Sequence, residues 1–209
     1  IGAFLVLLQR DPPPPPPAWS SWRPTAAEAD TTTRMLEIAN HVGRSYKLPS
    51  GNQLVGIQTQ STNAKFQGVV VAKADNATQP DAEYGRDDTA VFLFCGSPKS
   101  CKITEGSPTV ARGTVLRREA LELALYTFKY VDGVDNVIAL IPPPPEPNTN
   151  WALFFQKKEF KNELSHPLSQ TLPMPAGGKK LVPASVAGNA NSQTIERLTR
   201  QRWFTSEFR

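Results

Sequence analysis

Two runs of consecutive prolines constrain this 209-residue chain more than any other feature. Pro12–Pro17 lies near the N-terminus, and a second run begins at Pro142. Proline has no backbone N–H to donate and clashes with the preceding helical turn, so neither run fits inside a helix or a central strand. The first run predicts a stiff polyproline II spacer of about 19 Å. The second predicts the end of the strand that precedes it.

The residues before the first proline run are apolar. Ile1–Leu8 is followed at once by Gln9, Arg10 and Asp11. A membrane-spanning helix needs about 20 apolar residues, so this segment alone cannot cross a bilayer. We interpret it as the outer end of a transmembrane helix, with the polar residues at the water boundary. The remnant of a signal peptide and a soluble tail are the alternatives.

A first amphipathic helix is predicted between Thr25 and Gly43. Thr25 and Glu28 fit a capping box, in which each side chain binds a backbone N–H of the first turn. One apolar stripe follows at helical spacing; its members are Met35, Ile38, Ala39 and Val42. His41 lies beside this stripe, and we expect it to be a structural histidine rather than a ligand.

Beyond the turn LPSGN the hydrophobic pattern becomes that of β-strands. The segments NQLVGIQTQ, AKFQGVVVAK and TAVFLFC are short and rich in β-branched or aromatic residues. VFLF and the later segment DNVIALI are apolar at every position, which is typical of strands buried on both faces. A further strand, NWALFFQ, follows the second proline run.

The segment TVLRREALELALYTFKYVDG predicts a second helix that packs deeply into the core. Its main apolar stripe consists of Leu121, Ala124, Leu125 and Phe128. Arg117 and Arg118 lie near the positive end of the helix dipole, where they oppose it. We therefore expect them to bind a partner or a carboxylate, with two solvated arginines as the alternative.

The order of these elements predicts the fold class. A helix, three or four strands, a helix, two strands and a terminal helix indicate an α+β domain with a mainly antiparallel sheet and helices packed on one face. We divide the chain into three parts. Residues 1–24 form the end of a membrane anchor and the polyproline spacer, and residues 25–165 form the globular domain. Residues 166–209 form an extended arm and a short basic and aromatic C-terminal helix, because the tract is rich in Pro, Gly, Ala, Ser and Asn.

The two cysteines predict a disulfide bond. Cys95 ends an apolar strand and Cys101 precedes the next polar segment, with Gly, Ser and Pro between them. Cysteines on the two arms of one short turn come within bonding distance, and closing such a loop stabilises a fold by roughly 2 kcal/mol. A disulfide indicates an oxidising compartment. Two inert thiols are the alternative.

The end of the chain combines arginine with aromatic residues, a composition common in protein interfaces. The candidate partner contacts are Arg197, Arg200, Arg202, Trp203, Phe204 and Phe208. Anionic lipid head groups are a second possible target, and packing of this segment against the domain's own sheet is the alternative.

The sequence contains no diagnostic catalytic motif: G-x-S-x-G, G-x-x-x-x-G-K-[ST], G-x-G-x-x-G, H-E-x-x-H and C-x-x-C are all missing. Its two histidines match no nucleophile or metal signature, so we expect no catalytic residues, cofactor or metal site. The formal net charge of +4 is too small to indicate nucleic-acid binding.

These features favour a non-catalytic module that is tethered to a membrane by one helix. We expect it on the extracytoplasmic side of a bacterial-type envelope, as a structural or accessory subunit of an envelope or membrane protein assembly. Its expected partners are other envelope or membrane proteins, and the lipid bilayer through the N-terminus. The alternative is an envelope hydrolase that uses a pair of carboxylates.

Overall fold

The structure is a computed structural model. It describes residues 18–25, 30–59, 68–73, 82–85, 88–95, 105–107, 109–141, 151–175, 180–186, 190–200 and 203–208. The predicted membrane-helix remnant and the polyproline spacer at residues 1–17 lie outside the described residues, as does the second proline run.

The described elements come in runs of strands and runs of helices, as is typical of an α+β fold. The helices are α1 (Thr31–Gly43), α2 (Val110–Tyr130), α3 (Lys161–Ser165), α4 (Leu168–Thr171), α5 (Pro183–Val186) and α6 (Ala190–Thr199). The strands are β1 (Gly56–Thr59), β2 (Gly68–Lys73), β3 (Ala82–Gly85), β4 (Thr89–Cys95), β5 (Asn136–Ile141), β6 (Trp151–Gln156) and β7 (Trp203–Phe208). The α+β class is therefore confirmed.

The described strands form one mixed sheet in the order β1-β4-β5-β6-β7-β2-β3. The β4–β5 pair is parallel, whereas the other neighbouring pairs are antiparallel. The parallel pair arises because α2 carries the chain back across the sheet between β4 and β5, as a parallel connection requires. The sheet is thus mixed rather than antiparallel throughout.

The core lies between the helices and one face of this sheet. Alternate residues of β4, such as Phe92 and Phe94, belong to the same buried cluster as Leu121 and Leu125 of α2 and Ile38 of α1. The opposite face is buried too: its side chains include Val91, Ile138, Ala152 and Phe154, each at most 5 % exposed. The prediction that VFLF and DNVIALI are buried on both faces is confirmed.

The apolar stripes of both long helices are also confirmed, but the predicted start of α1 is wrong. Asp30 is the N-cap of α1, and its side chain accepts a hydrogen bond from the Thr33 N–H at 2.8 Å. Thr25 instead donates to the carboxylate of Glu37 through its N–H and its hydroxyl, at 2.9 and 3.0 Å. Thr25 therefore contacts a side chain in the middle of the helix and does not cap its N-terminus.

The structure differs from the expectation for residues 166–209. Leu168, Leu181 and Ile195 belong to the main core cluster; the predicted short helix is present as α6, but the aromatic residues 203–208 after it form strand β7. β7 pairs with both β6 and β2, inside the sheet. This tract is part of the body because its scattered apolar side chains fill the core and its last strand completes the backbone hydrogen bonding of two neighbours.

Candidate functional site

Four polar side chains form a cluster inside the core, and three of them come from α2. Arg118 is 1 % exposed, and its guanidinium donates to Glu122 Oε2 at 2.9 Å and to the Tyr46 hydroxyl. The Tyr46 hydroxyl in turn donates to Glu122. Arg118 also donates to the carbonyl oxygens of Leu172 and Pro173, at 3.0 and 3.3 Å. One guanidinium thus joins α2, the segment after α1 and the segment after α4.

Glu119, the fourth member of the cluster, is fully buried. Neither of its carboxyl oxygens has a hydrogen-bond partner among the described residues. Burial is the main cause that raises the pKa of Glu119 well above its ordinary value, and the nearby Glu122 adds to it. Arg118 and Lys47 oppose this shift without cancelling it. The environment therefore favours the protonated, neutral form of this carboxyl group.

The same environment fixes the ionisation of the other members. Burial is the main cause that raises the pKa of the Tyr46 hydroxyl, so Tyr46 stays a hydrogen-bond donor. Burial alone would lower the pKa of Arg118, but Tyr46 and Glu122 outweigh it and the pKa is raised. Arg118 is charged and has a carboxylate partner, as a buried cation requires. The cluster suits a structural role, because Tyr46, Arg118 and Glu122 bind one another and Arg118 also binds the backbone.

A second set of contacts holds the chain directly after the first proline run. Trp19 is only 8 % exposed; its indole N–H donates to the Glu163 carbonyl at 3.1 Å, and its own carbonyl accepts from the Leu168 N–H at 2.7 Å. The rings of Tyr126 and Tyr130 meet the Trp19 ring edge-on, at 5.3 and 5.7 Å. The body therefore begins before the predicted boundary at residue 25.

Trp22 and His41 extend this aromatic set. Their rings stack with centroids 3.8 Å apart and an angle of 3° between the planes. Burial is the main cause that lowers the pKa of His41; Glu122 acts against this shift, and Arg44 adds to it. His41 thus packs against the Trp22 ring, in line with the structural role expected for it.

An open cleft lies where β4 and β5 begin and β6 ends. It has a volume of about 740 Å³. The polar residues that line it are Asp88, Asp135, Asn136, Gln156, Lys157, Lys158, Lys161 and Ser165. The cleft is separate from the buried cluster, since none of Tyr46, Arg118, Glu119 and Glu122 lines it.

The structure separates the predicted partner contacts. Arg197 and Arg200 are exposed at the end of α6. Strand β7 of the sheet contains Trp203, Phe204 and Phe208. Arg202 lies outside the described residues. Their role in partner binding stays a prediction.

Cys95 ends β4, is fully buried and is not a free thiol. Cys101 lies outside the described residues, so the bond between the two cysteines stays a prediction.

Both arginines at the start of α2 contact carboxylates, one of the two outcomes expected for them. Arg117 pairs with Glu196 of α6, and Arg118 pairs with Glu122. The sequence did not predict the roles of Glu119 and Tyr46. Glu119 could have been noticed because it is a charged residue within a mostly apolar stretch of α2. Tyr46 follows the end of a helix, and no sequence pattern distinguishes it.

Among the described residues, no group of three or more His, Cys, Asp or Glu side chains could hold a metal ion. No helix in this part of the chain combines the length and the apolar character needed to cross a membrane. The chain matches no protein-family model, no curated protein and no solved structure.

Proposed function

We propose that this protein is a non-catalytic module tethered outside a bacterial-type membrane by its N-terminus. There it serves as a structural or accessory subunit of an envelope or membrane protein assembly. The proposal joins the apolar segment Ile1–Leu8 and the spacer Pro12–Pro17 to a body that begins at Trp19. The predicted disulfide between Cys95 and Cys101 would suit the same oxidising side of the membrane.

The observation that carries the proposal is the attachment of Trp19. The spacer ends two residues before this tryptophan, whose ring and backbone are both bound to the body. A stiff polyproline segment controls the position of a domain only if its end is fixed to that domain. A core tryptophan with backbone contacts to α3 and α4 supplies such a fixed end.

The geometry gives less support to the alternative, a hydrolase with a carboxylate pair. Glu119 and Glu122 are both buried, but they lie in the core and do not line the described cleft. Asp88 and Asp135 do line the cleft, but both are accessible to solvent. In the described part of the chain, neither pair combines burial with a cavity that could admit a substrate, which catalysis by a tuned carboxylate pair requires.

The exposed arginines at the end of α6 are the described candidates for contact with the partner. Arg197 and Arg200 are exposed to solvent within a C-terminal region, from Gln156 onward, that has a net positive charge with nine Lys or Arg against four Glu. Arginine contributes strongly to protein interfaces because it combines charge with a planar, multiply donating group. An acidic surface on an envelope protein would complement this pair.

Cross-linking in intact cells, followed by purification and mass spectrometry, tests the proposal. We expect one envelope or membrane protein to be enriched with the wild-type chain and lost with the double variant Arg197→Glu/Arg200→Glu. The matched control, Arg44→Glu/Lys180→Glu, reverses two other exposed charges and should retain the partner. Equal recovery with both double variants would rule out the arginine surface, and the absence of any enriched envelope protein would contradict the accessory role.

A further inference from the structure

The cleft at the ends of β4, β5 and β6 has the size of a small-molecule site. Its volume of about 740 Å³ falls within the usual range for such sites, roughly 300 to 1,000 Å³. The lining includes the apolar side chain of Leu164 and the amides of Asn136 and Gln156. A flat polar surface would not combine a concave volume with an apolar side chain and two side-chain amides.

Positive charge lines the side of the cleft formed by the turn after β6 and by α3. Lys157, Lys158 and Lys161 all contribute to this lining. None of them forms an ion pair with a carboxylate in the described part of the chain, although Asp88 and Asp135 line the same cleft. The ammonium groups are therefore available to an anion from solution.

The two acidic residues of the cleft are held by the backbone. The Asp88 carbonyl accepts from the N–H groups of Asp135 and Asn136, at 2.9 and 3.0 Å, and the Asp135 carbonyl accepts from the Lys157 N–H at 2.8 Å. The side chain of Asp88 accepts from the Thr89 hydroxyl at 2.8 Å. These bonds fix the backbone of both acidic residues and the carboxylate of Asp88 in the cleft, and neither acidic residue forms an ion pair with the lysines.

We propose that this cleft binds a phosphate ester that also carries free hydroxyl groups. Lysine ammonium groups bind phosphate as point charges, and carboxylates accept hydrogen bonds from hydroxyl groups. A simple anion would interact with the lysines alone, and a simple cation with Asp88 and Asp135 alone. A polyol phosphate satisfies both sets, and the excess of three lysines over two carboxylates favours a net negative ligand.

This ligand chemistry has two sources, a soluble polyol phosphate and the head group of a phospholipid such as phosphatidylglycerol. The inference does not depend on the proposed tether, because a soluble ligand would bind whether or not the chain is attached to a membrane. Titration calorimetry with glycerol 3-phosphate tests the soluble source. Sedimentation with phosphatidylglycerol-containing vesicles, compared with phosphatidylcholine vesicles, tests the lipid source and subtracts any binding by the apolar N-terminus.

The variants Lys158→Ala and Lys161→Ala separate specific binding from general charge effects. We expect each to weaken binding about tenfold, since a hydrogen bond to a charged group is lost. Lys180→Ala removes an exposed lysine outside the cleft and should leave binding unchanged. Asp135→Asn should weaken binding of glycerol 3-phosphate but not of inorganic phosphate, which has no polyol hydroxyl groups.

Binding to glycerol 3-phosphate, or a preference for phosphatidylglycerol vesicles that the two cleft lysine variants abolish, would support the inference and identify the source. The inference is overturned if neither probe binds at millimolar concentration. It is also overturned if Lys180→Ala weakens binding as much as the cleft variants do, or if uncharged glycerol binds as tightly as its phosphate ester. Thermal melting of each variant checks that the fold is retained.

Discussion

Glu119 is a fully buried carboxyl group without a hydrogen-bond partner among the described residues. Its oxygens are fully buried beside Glu122, and burial raises its pKa well above the ordinary value. The folded protein therefore holds this proton to a higher pH than the unfolded chain does. Stability from this source is fully present below the ordinary glutamate pKa of about 4.3 and is lost as the pH rises towards the raised folded value.

Replacing Glu119 by Gln should remove this pH dependence and make the protein more stable at neutral pH. Gln is neutral in both the folded and unfolded states, so folding no longer involves uptake of a proton at this site. The free energy of unfolding of the wild type should fall by up to about 1.4 kcal/mol per pH unit more steeply than that of the variant. Urea denaturation between about pH 5 and about pH 8 measures both slopes. Parallel slopes would show that Glu119 titrates normally.

Arg118 offers a second test within the same cluster. Arg118→Met leaves Glu122 and the Tyr46 hydroxyl without their buried cation, and should cost about 3 to 5 kcal/mol of stability. The double variant Arg118→Met/Glu122→Met removes both charges and should recover most of that loss. A double-mutant cycle by chemical denaturation gives the coupling energy directly. Additive effects of the two substitutions would mean that the pair does not interact as its 2.9 Å contact indicates.

At the scale of elements, the sequence predicted which faces are buried better than where helices begin. The stripes of α1 and α2 follow from helical spacing, and their members are buried in the structure. The start of α1 was misplaced because Thr25 and Asp30 are both good capping residues. Local sequence does not show which of the two residues caps the helix, because Thr25 is held elsewhere by a contact made only in the folded protein. That contact is its pair of hydrogen bonds to Glu37.

Phe128 tests how deeply α2 packs. Its side chain is 3 % exposed and stacks on Phe160 with ring centroids 6.1 Å apart. Phe128→Ala should therefore lower the free energy of unfolding by about 3 to 5 kcal/mol, through lost burial and the cavity left behind. Val110→Ala is the control, since Val110 is 87 % exposed on the same helix and should change stability by less than about 0.5 kcal/mol. A loss below about 1 kcal/mol for Phe128→Ala would contradict the packing of α2.

The predicted disulfide belongs to the end of β4. Cys95 is buried there, and a bond to Cys101 would close the short turn that follows the strand. Thiol titration of the protein unfolded without reductant should find no free thiol, and two after reduction. Two titratable thiols before reduction would show that the bond does not form.

For the whole molecule, the sequence predicted the class and the element order as far as β6 but not the pairing of distant strands. β7 lies between β6 and β2, and no local pattern states that the last residues of a chain enter the middle of its sheet. The tract after residue 165 looks like a linker by composition, yet Leu181 and Ile195 are fully buried. The cleft could not be predicted from the sequence either, because the residues that line it lie at the ends of separate strands that only the folded topology brings together.

The tether at the N-terminus is the central claim, and membrane fractionation tests it most directly. The full-length protein should sediment with membranes and resist extraction by high salt and carbonate. A variant that begins at Ala18 should be soluble and melt like the parent, because Trp19 remains attached to the body. A protease site placed directly after Pro17 should release the folded body from the membrane pellet. Recovery of the intact full-length protein in the soluble fraction after lysis would contradict the account.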